Sequence, residues 1–218
     1  MTSLPRNFKT ILDRLKAFSQ VEEIPLEVLG EIIADGSPLP ILKLELNPQS
    51  TAQKKVLISG GIHGDEPAGV ETICEFLEEK LYIPFLKNWR IKILPCLNPS
   101  GYQRNTRNNY DDKDLNRLFK LSSSSTEVEI AKKVLEPTFD LTLELHEDCD
   151  SDGYYLFQKE NLQSDPPLGR KILNAIEPIM PINRISEIED IPAEDGLIMR
   201  LKEPDEMPWS PMALYSYH

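Results

Sequence analysis

KKVLISGGIHGDEPAGVETICEFLEEK, residues 54–80, sets the reading of the whole chain. Its first part, KKVLISGGI, is nearly continuous in apolar residues, the pattern of a strand covered on both faces. Its last part, DEPAGVETICEFLEEK, carries Val70, Ile73, Phe76 and Leu77 on one face, with Pro67 near the start and acids in the first turn. That spacing predicts a helix. Strand, loop and helix follow one another, and the loop between them holds His63 and Glu66 three residues apart.

The same order recurs downstream. WRIKILPCLNPSG predicts a second buried strand ending in a loop, TEVEIAKKVLE a helix, and FDLTLELHE a third buried strand that stops at His146. Upstream, Phe8, Ile11, Leu12, Leu15 and Phe18 recur at three and four residues, which predicts an amphipathic N-terminal helix. IPLEVLGEI and PILKLEL alternate with period two around the turn residues of ADGSPLP, which predicts an antiparallel strand pair at a sheet edge. Strands alternating with helices predict an α/β protein: a three-layer sandwich with a mixed, mostly parallel central sheet. The segment from NPSGYQRNTRNNYDDKD to SSSS reads as long loops over one end of that sheet, where function concentrates.

Composition narrows the choice of partners. The chain has 218 residues, 40% hydrophobic and 28% charged, which predicts one globular domain over residues 1–218. A net charge of −12 without Lys/Arg clusters argues against nucleic acid and anionic membranes as partners. The N-terminus has no signal-peptide core, no long apolar run occurs, and Cys74, Cys96 and Cys149 are odd in number and widely spaced. Together these features predict a cytoplasmic protein with reduced thiols.

Neighbouring parallel strands end at the same edge of a sheet, so His146 is expected near His63 and Glu66. Two imidazoles and a carboxylate form a three-ligand catalytic zinc set that leaves one position for water. Alone, an H-x-x-E pair at a helix start reads as capping and surface charge. The histidine at a second strand end turns the reading toward a metal. The glycines of GGIHG fit a tight turn beside a ligand, and Arg104, Arg107, Asn116 and Arg117 lie between the two ligand segments.

HGDE, NPSGYQRNTR, DLNR and LELHED, in this order, resemble the zinc metallocarboxypeptidase family and its amidohydrolase relatives, among them succinylglutamate desuccinylase and aspartoacylase. The resemblance spans roughly residues 54–158. It implies one zinc per chain held by His63, Glu66 and His146, and a substrate carboxylate bound by Asn116 and Arg117. It also implies that Arg104 polarises the scissile carbonyl, with Arg107 as the competitor for that role. The substrate class implied is a peptide or an acyl amino acid with a free carboxylate.

The family's general-base glutamate stands on a late strand, and no matching context occurs before His218. Glu203 and Glu206 lie in LKEPDEMP, whose prolines oppose a central strand. Glu147, next to His146, is expected to project elsewhere. Tyr215 and Tyr217 compete for correspondence with the family's substrate-contacting tyrosine. The expectation is a domain lacking its C-terminal end, with another acid in the role, or metal binding without turnover, as the alternatives.

Overall fold

The computed structural model describes residues 6–49, 54–119, 125–135, 139–159 and 166–199. Glu203, Glu206, Tyr215 and Tyr217 therefore lie outside the described residues, as does most of the SSSS run. The described residues up to Glu147 form one compact unit and those from Asp148 onward another.

In the first unit, helix α1 (Phe8–Glu22) opens where the Asn7 side chain accepts a hydrogen bond from the Lys9 amide, and it ends at Glu23 in the left-handed conformation. It buries Phe8, Ile11, Leu15 and Phe18, the face read from the sequence. Strands β1 (Leu26–Ala34) and β2 (Ser37–Leu46) pair antiparallel through a tight turn in which Asp35 and Gly36 both have positive φ, 50° and 75°. An Asp-Gly pair is favoured there because both central residues of such a hairpin turn need the left-handed region.

Strand β3 (Lys54–Gly60), helix α2 (Pro67–Glu78), strand β4 (Trp89–Leu94), helix α4 (Thr126–Val134) and strand β5 (Leu141–Leu145) follow, with the short helix α3 (Pro99–Arg104) between β4 and α4. The sheet order is β1-β2-β4-β3-β5. β3 pairs parallel with β4 on one side and with β5 on the other, whereas β2 pairs antiparallel with β4. The sheet is thus mixed, and parallel where the recurring order of strand, loop and helix places the chain ends of β3 and β5 together.

Adjacent residues on β3 point to opposite faces. Val56 packs into a cluster with residues of α1 and α2, and Leu57 into a cluster with Val128, Ala131 and Val134 of α4. Helices therefore cover both faces, giving the three layers expected.

Two expectations need correction. FDLTLELHE was expected to be buried on both faces, yet all five residues of β5 are only half-buried, because β5 pairs with β3 alone among the described residues. NPSGYQR was read as loop, yet it forms α3. Asn98 accepts a hydrogen bond from the Gly101 amide at 2.8 Å and Pro99 takes the first helical position, where its missing N–H costs nothing.

In the second unit, β6 (Leu156–Gln158) pairs parallel with β9 (Leu197–Met199), and β7 (Glu187–Ile188) pairs with β8 (Ile191–Pro192). Helix α5 (Leu168–Ile176) packs Leu173 inward beside them. No helix among the described residues is long and apolar enough to cross a membrane.

Candidate metal centre

The parallel register decides which residues meet. Gly60, the last residue of β3, stands opposite Leu145, the last of β5, so the segment after β3 and His146 after β5 emerge side by side. His63 Nδ1 lies 2.6 Å from Glu66 Oε1, and His146 Nδ1 lies 2.8 Å from Glu66 Oε2. Ligand atoms of the three residues fall within 4.8 Å of one another. His63 is 2% exposed, whereas His146 faces solvent, so the group is fixed from below and open above.

The turn that carries His63 and Glu66 is built against backbone. Gly64 donates its N–H to the Arg107 carbonyl at 3.3 Å, and a Cβ at Gly64 would stand 2.0 Å from the Gly101 carbonyl carbon and 2.3 Å from the Tyr102 nitrogen. Neither neighbour can rotate away. Gly64→Ala is expected to destabilise the protein by about 3 kcal/mol or more, a loss of roughly 10 °C in Tm measured by thermal denaturation.

A fourth residue, not singled out from the sequence, touches the buried histidine. Asp114 Oδ1 lies 3.3 Å from His63 Nε2, and the same side chain caps the 3-10 turn Leu115–Arg117 by accepting the Asn116 amide at 3.0 Å. With Nε2 beside Asp114, the His63 ring is oriented so that Nδ1 faces Glu66. The signal in the sequence was an acid two positions before Asn116 in DLNR.

The electrostatics follow from this packing. Burial raises the Glu66 carboxyl, but hydrogen bonds with His146 and His63 outweigh it and hold its pKa at about 2. Burial likewise works against charge on His63, and hydrogen bonds to Asp114 and Glu66 reverse this, so its pKa is raised. Burial would lift the Asp114 carboxyl, yet the His63 bond and the charges of Arg107 and Arg117 keep it well below the usual carboxylate range. Anionic Glu66 and Asp114 therefore bracket His63 at neutral pH.

The two arginines part company. Arg104 donates to both oxygens of Asp35 at 2.9 and 3.1 Å in the β1–β2 turn and stacks over the Tyr110 ring at 4.0 Å. Arg107 reaches the carboxylates beside the histidines instead: its Nη1 lies 3.5 Å from Glu66 Oε1 and its Nε 3.2 Å from Asp114 Oδ2. Of the residues expected at the site, His63, Glu66 and His146 converge and Arg104 does not join them. Asn116 is buried with its Oδ1 unpartnered, and Arg117 is exposed beside Asp114.

A family model for the succinylglutamate desuccinylase/aspartoacylase catalytic domain matches residues 52–191. The chain belongs to that family. Members of the wider group are also similar to this desuccinylase/aspartoacylase-family chain. Carboxypeptidase SOL1 of Arabidopsis thaliana is 31% identical over 120 residues, covering 51% of this chain and 24% of that protein. The chain thus aligns with only about a quarter of that relative's length.

Two solved structures share the fold. A candidate metallopeptidase from Shewanella amazonensis SB2B aligns with a TM-score of 0.78 at 22% identity, over 97% of this chain and 80% of that one. A metallo-carboxypeptidase from Pseudomonas aeruginosa, in complex with (2-guanidinoethylmercapto)succinic acid, gives a TM-score of 0.58 at 19% identity, over 80% of this chain and 47% of that one.

Proposed function

We propose that this desuccinylase/aspartoacylase-family chain is a zinc-dependent hydrolase that cleaves an amide bond next to a free carboxylate, with the metallocarboxypeptidase reaction as its leading form. The observation that carries this reading is the convergence of two imidazole Nδ1 atoms and the Glu66 carboxylate at the ends of two parallel strands. The donor set fits zinc: two imidazoles and one carboxylate on an open-topped site, with the second nitrogen of the buried imidazole held by Asp114. When bound, zinc supplies an acidified water and a Lewis acid for the carbonyl.

The remaining steps belong to the chain. Arg107, beside Glu66, is the guanidinium positioned to donate to an oxyanion that develops at the site. Arg104, tied to Asp35, does not take that role. Arg117 and Asn116 hold the substrate's free carboxylate, Arg117 with its fork of donors and Asn116 with a side chain buried at the same 3-10 turn. The proton-accepting glutamate of this chemistry is assigned to none of the described residues. The cytoplasmic placement rests on composition and on free Cys74, Cys96 and Cys149.

The family match itself favours a second reading, hydrolysis of an N-acyl amino acid. The succinic acid moiety of the Pseudomonas aeruginosa complex is a carboxylate ligand of that protein, and it accords with either substrate. The test incubates the zinc-loaded chain with three substrates: a peptide with a free C-terminus, the same peptide amidated, and an N-succinyl amino acid. Release of a C-terminal residue from the free peptide alone supports the peptidase; cleavage of the acyl amino acid alone supports the deacylase. About one zinc per chain with no turnover of any of them sinks the hydrolase reading.

Asp114→Ala supplies a finer test. Removing the carboxylate that orients the His63 ring is expected to weaken zinc about 10- to 100-fold in a chelator competition, with Asp114→Asn losing less. An unchanged affinity in both variants would remove Asp114 from the site.

A further inference from the structure

Helix α2 begins without a cap of its own. Glu66 occupies the position where a side chain ordinarily turns back to an amide of the first turn, yet it makes no such hydrogen bond. Its carboxylate is turned to His63 and His146 instead. The first amides of a helix need partners, and Pro67 at the start removes only one of them.

The missing cap comes from the neighbouring strand at the same edge of the sheet. Glu147, at the end of the β5 segment, accepts the Ala68 N–H with its Oε2 at 3.0 Å, 79 positions away in sequence. In return the Glu147 backbone N–H donates to Glu66 Oε2 at 3.2 Å. Each glutamate carboxylate therefore accepts a backbone N–H from the other's segment across the gap between α2 and the end of β5, and Glu147 adds a negative charge where the helix dipole favours one. The close approach that makes this possible is kept by Gly69, where a Cβ would stand 2.8 Å from the Leu145 carbonyl oxygen.

We propose that Glu147 is a positioning residue that caps α2 from the neighbouring strand and thereby holds Glu66 with its carboxylate aimed at the two histidines. It is not one of the three residues whose ligand atoms converge. It acts through Glu66: one hydrogen bond fixes the helix turn that carries Glu66, and the other fixes an oxygen of Glu66 itself. The inference rests on the zinc reading for its functional meaning, and on the two hydrogen bonds for its structural content.

The experiment compares the parent with Glu147→Ala and Glu147→Gln in the full chain. Zinc affinity is measured by competition with a chromophoric chelator, and amide exchange at Ala68 by NMR in the metal-free protein. Glu147→Ala is expected to bind zinc about 10-fold more weakly and to exchange the Ala68 amide faster, with Tm of the metal-free protein little changed. Glu147→Gln keeps an acceptor oxygen and is expected to restore most of both. Affinity and exchange unchanged in the alanine variant, or a glutamine variant as impaired as the alanine one, overturns the proposal. If the parent takes up no zinc, the zinc reading fails, and the exchange data alone decide the cap: faster Ala68 exchange rescued by glutamine upholds it, and equal rates overturn it.

Discussion

His146→Ala is expected to leave a folded protein that no longer retains zinc and hydrolyses its best substrate at least about 10³-fold more slowly, since the metal supplies several kcal/mol of transition-state stabilisation. His146 is the exposed member of the set and packs into no core cluster, so its loss removes a ligand without opening a cavity. His63→Ala is the harsher change. It also strands Asp114, which is held anionic partly by the His63 ring, beside a buried gap. Elemental analysis after gel filtration, together with circular dichroism, separates the two effects: His146→Ala should lose metal with an unchanged spectrum. Retention of a full complement of zinc by both variants would mean that the metal, if any, sits elsewhere.

Arg107→Ala is expected to lower kcat about 10²- to 10³-fold, the cost of deleting one donor to a developing oxyanion. Arg104→Ala should alter kcat by less than about threefold, because an exposed ion pair such as Arg104–Asp35 is worth only about 0–1 kcal/mol. Arg107→Lys keeps the charge but loses the planar fork and should fall between. Steady-state kinetics on the same substrate decide the matter. Equal losses in the two alanine variants, or a larger loss at Arg104, would reverse the assignment that the geometry supports.

That contrast marks where the sequence stopped being legible. The strand, loop and helix of residues 54–80 were plain because apolar periodicity changes from continuous to helical within one stretch, and burial enforces both patterns. The meeting of His63, Glu66 and His146 was plain because parallel neighbours end at one sheet edge. The direction of each basic side chain in GYQRNTRNN was not. Arg104 closes α3, and Asn105 at φ 56° then bends the chain in the left-handed region, so residues three apart face opposite ways. A segment read as loop gives no frame in which to see that bend. Asp114 was hidden for a related reason. An acid among arginines satisfies charge whichever way it points, and it does pair with Arg107, but its second hydrogen bond, to His63, depends on a contact across 51 positions.

β5 hydrogen-bonds to a single neighbouring strand among the described residues, and Glu66 and His146 lie 80 positions apart. A metal ion joining them would close that long loop much as a disulfide does, tying the sheet's half-buried margin to the start of a helix by a bond the solvent can remove. Chelation should then loosen this margin before it loosens the hairpin of β1 and β2, and restoring zinc should raise the melting temperature in proportion to the logarithm of free metal. The ion would serve as a fastening for the fold as well as a reagent.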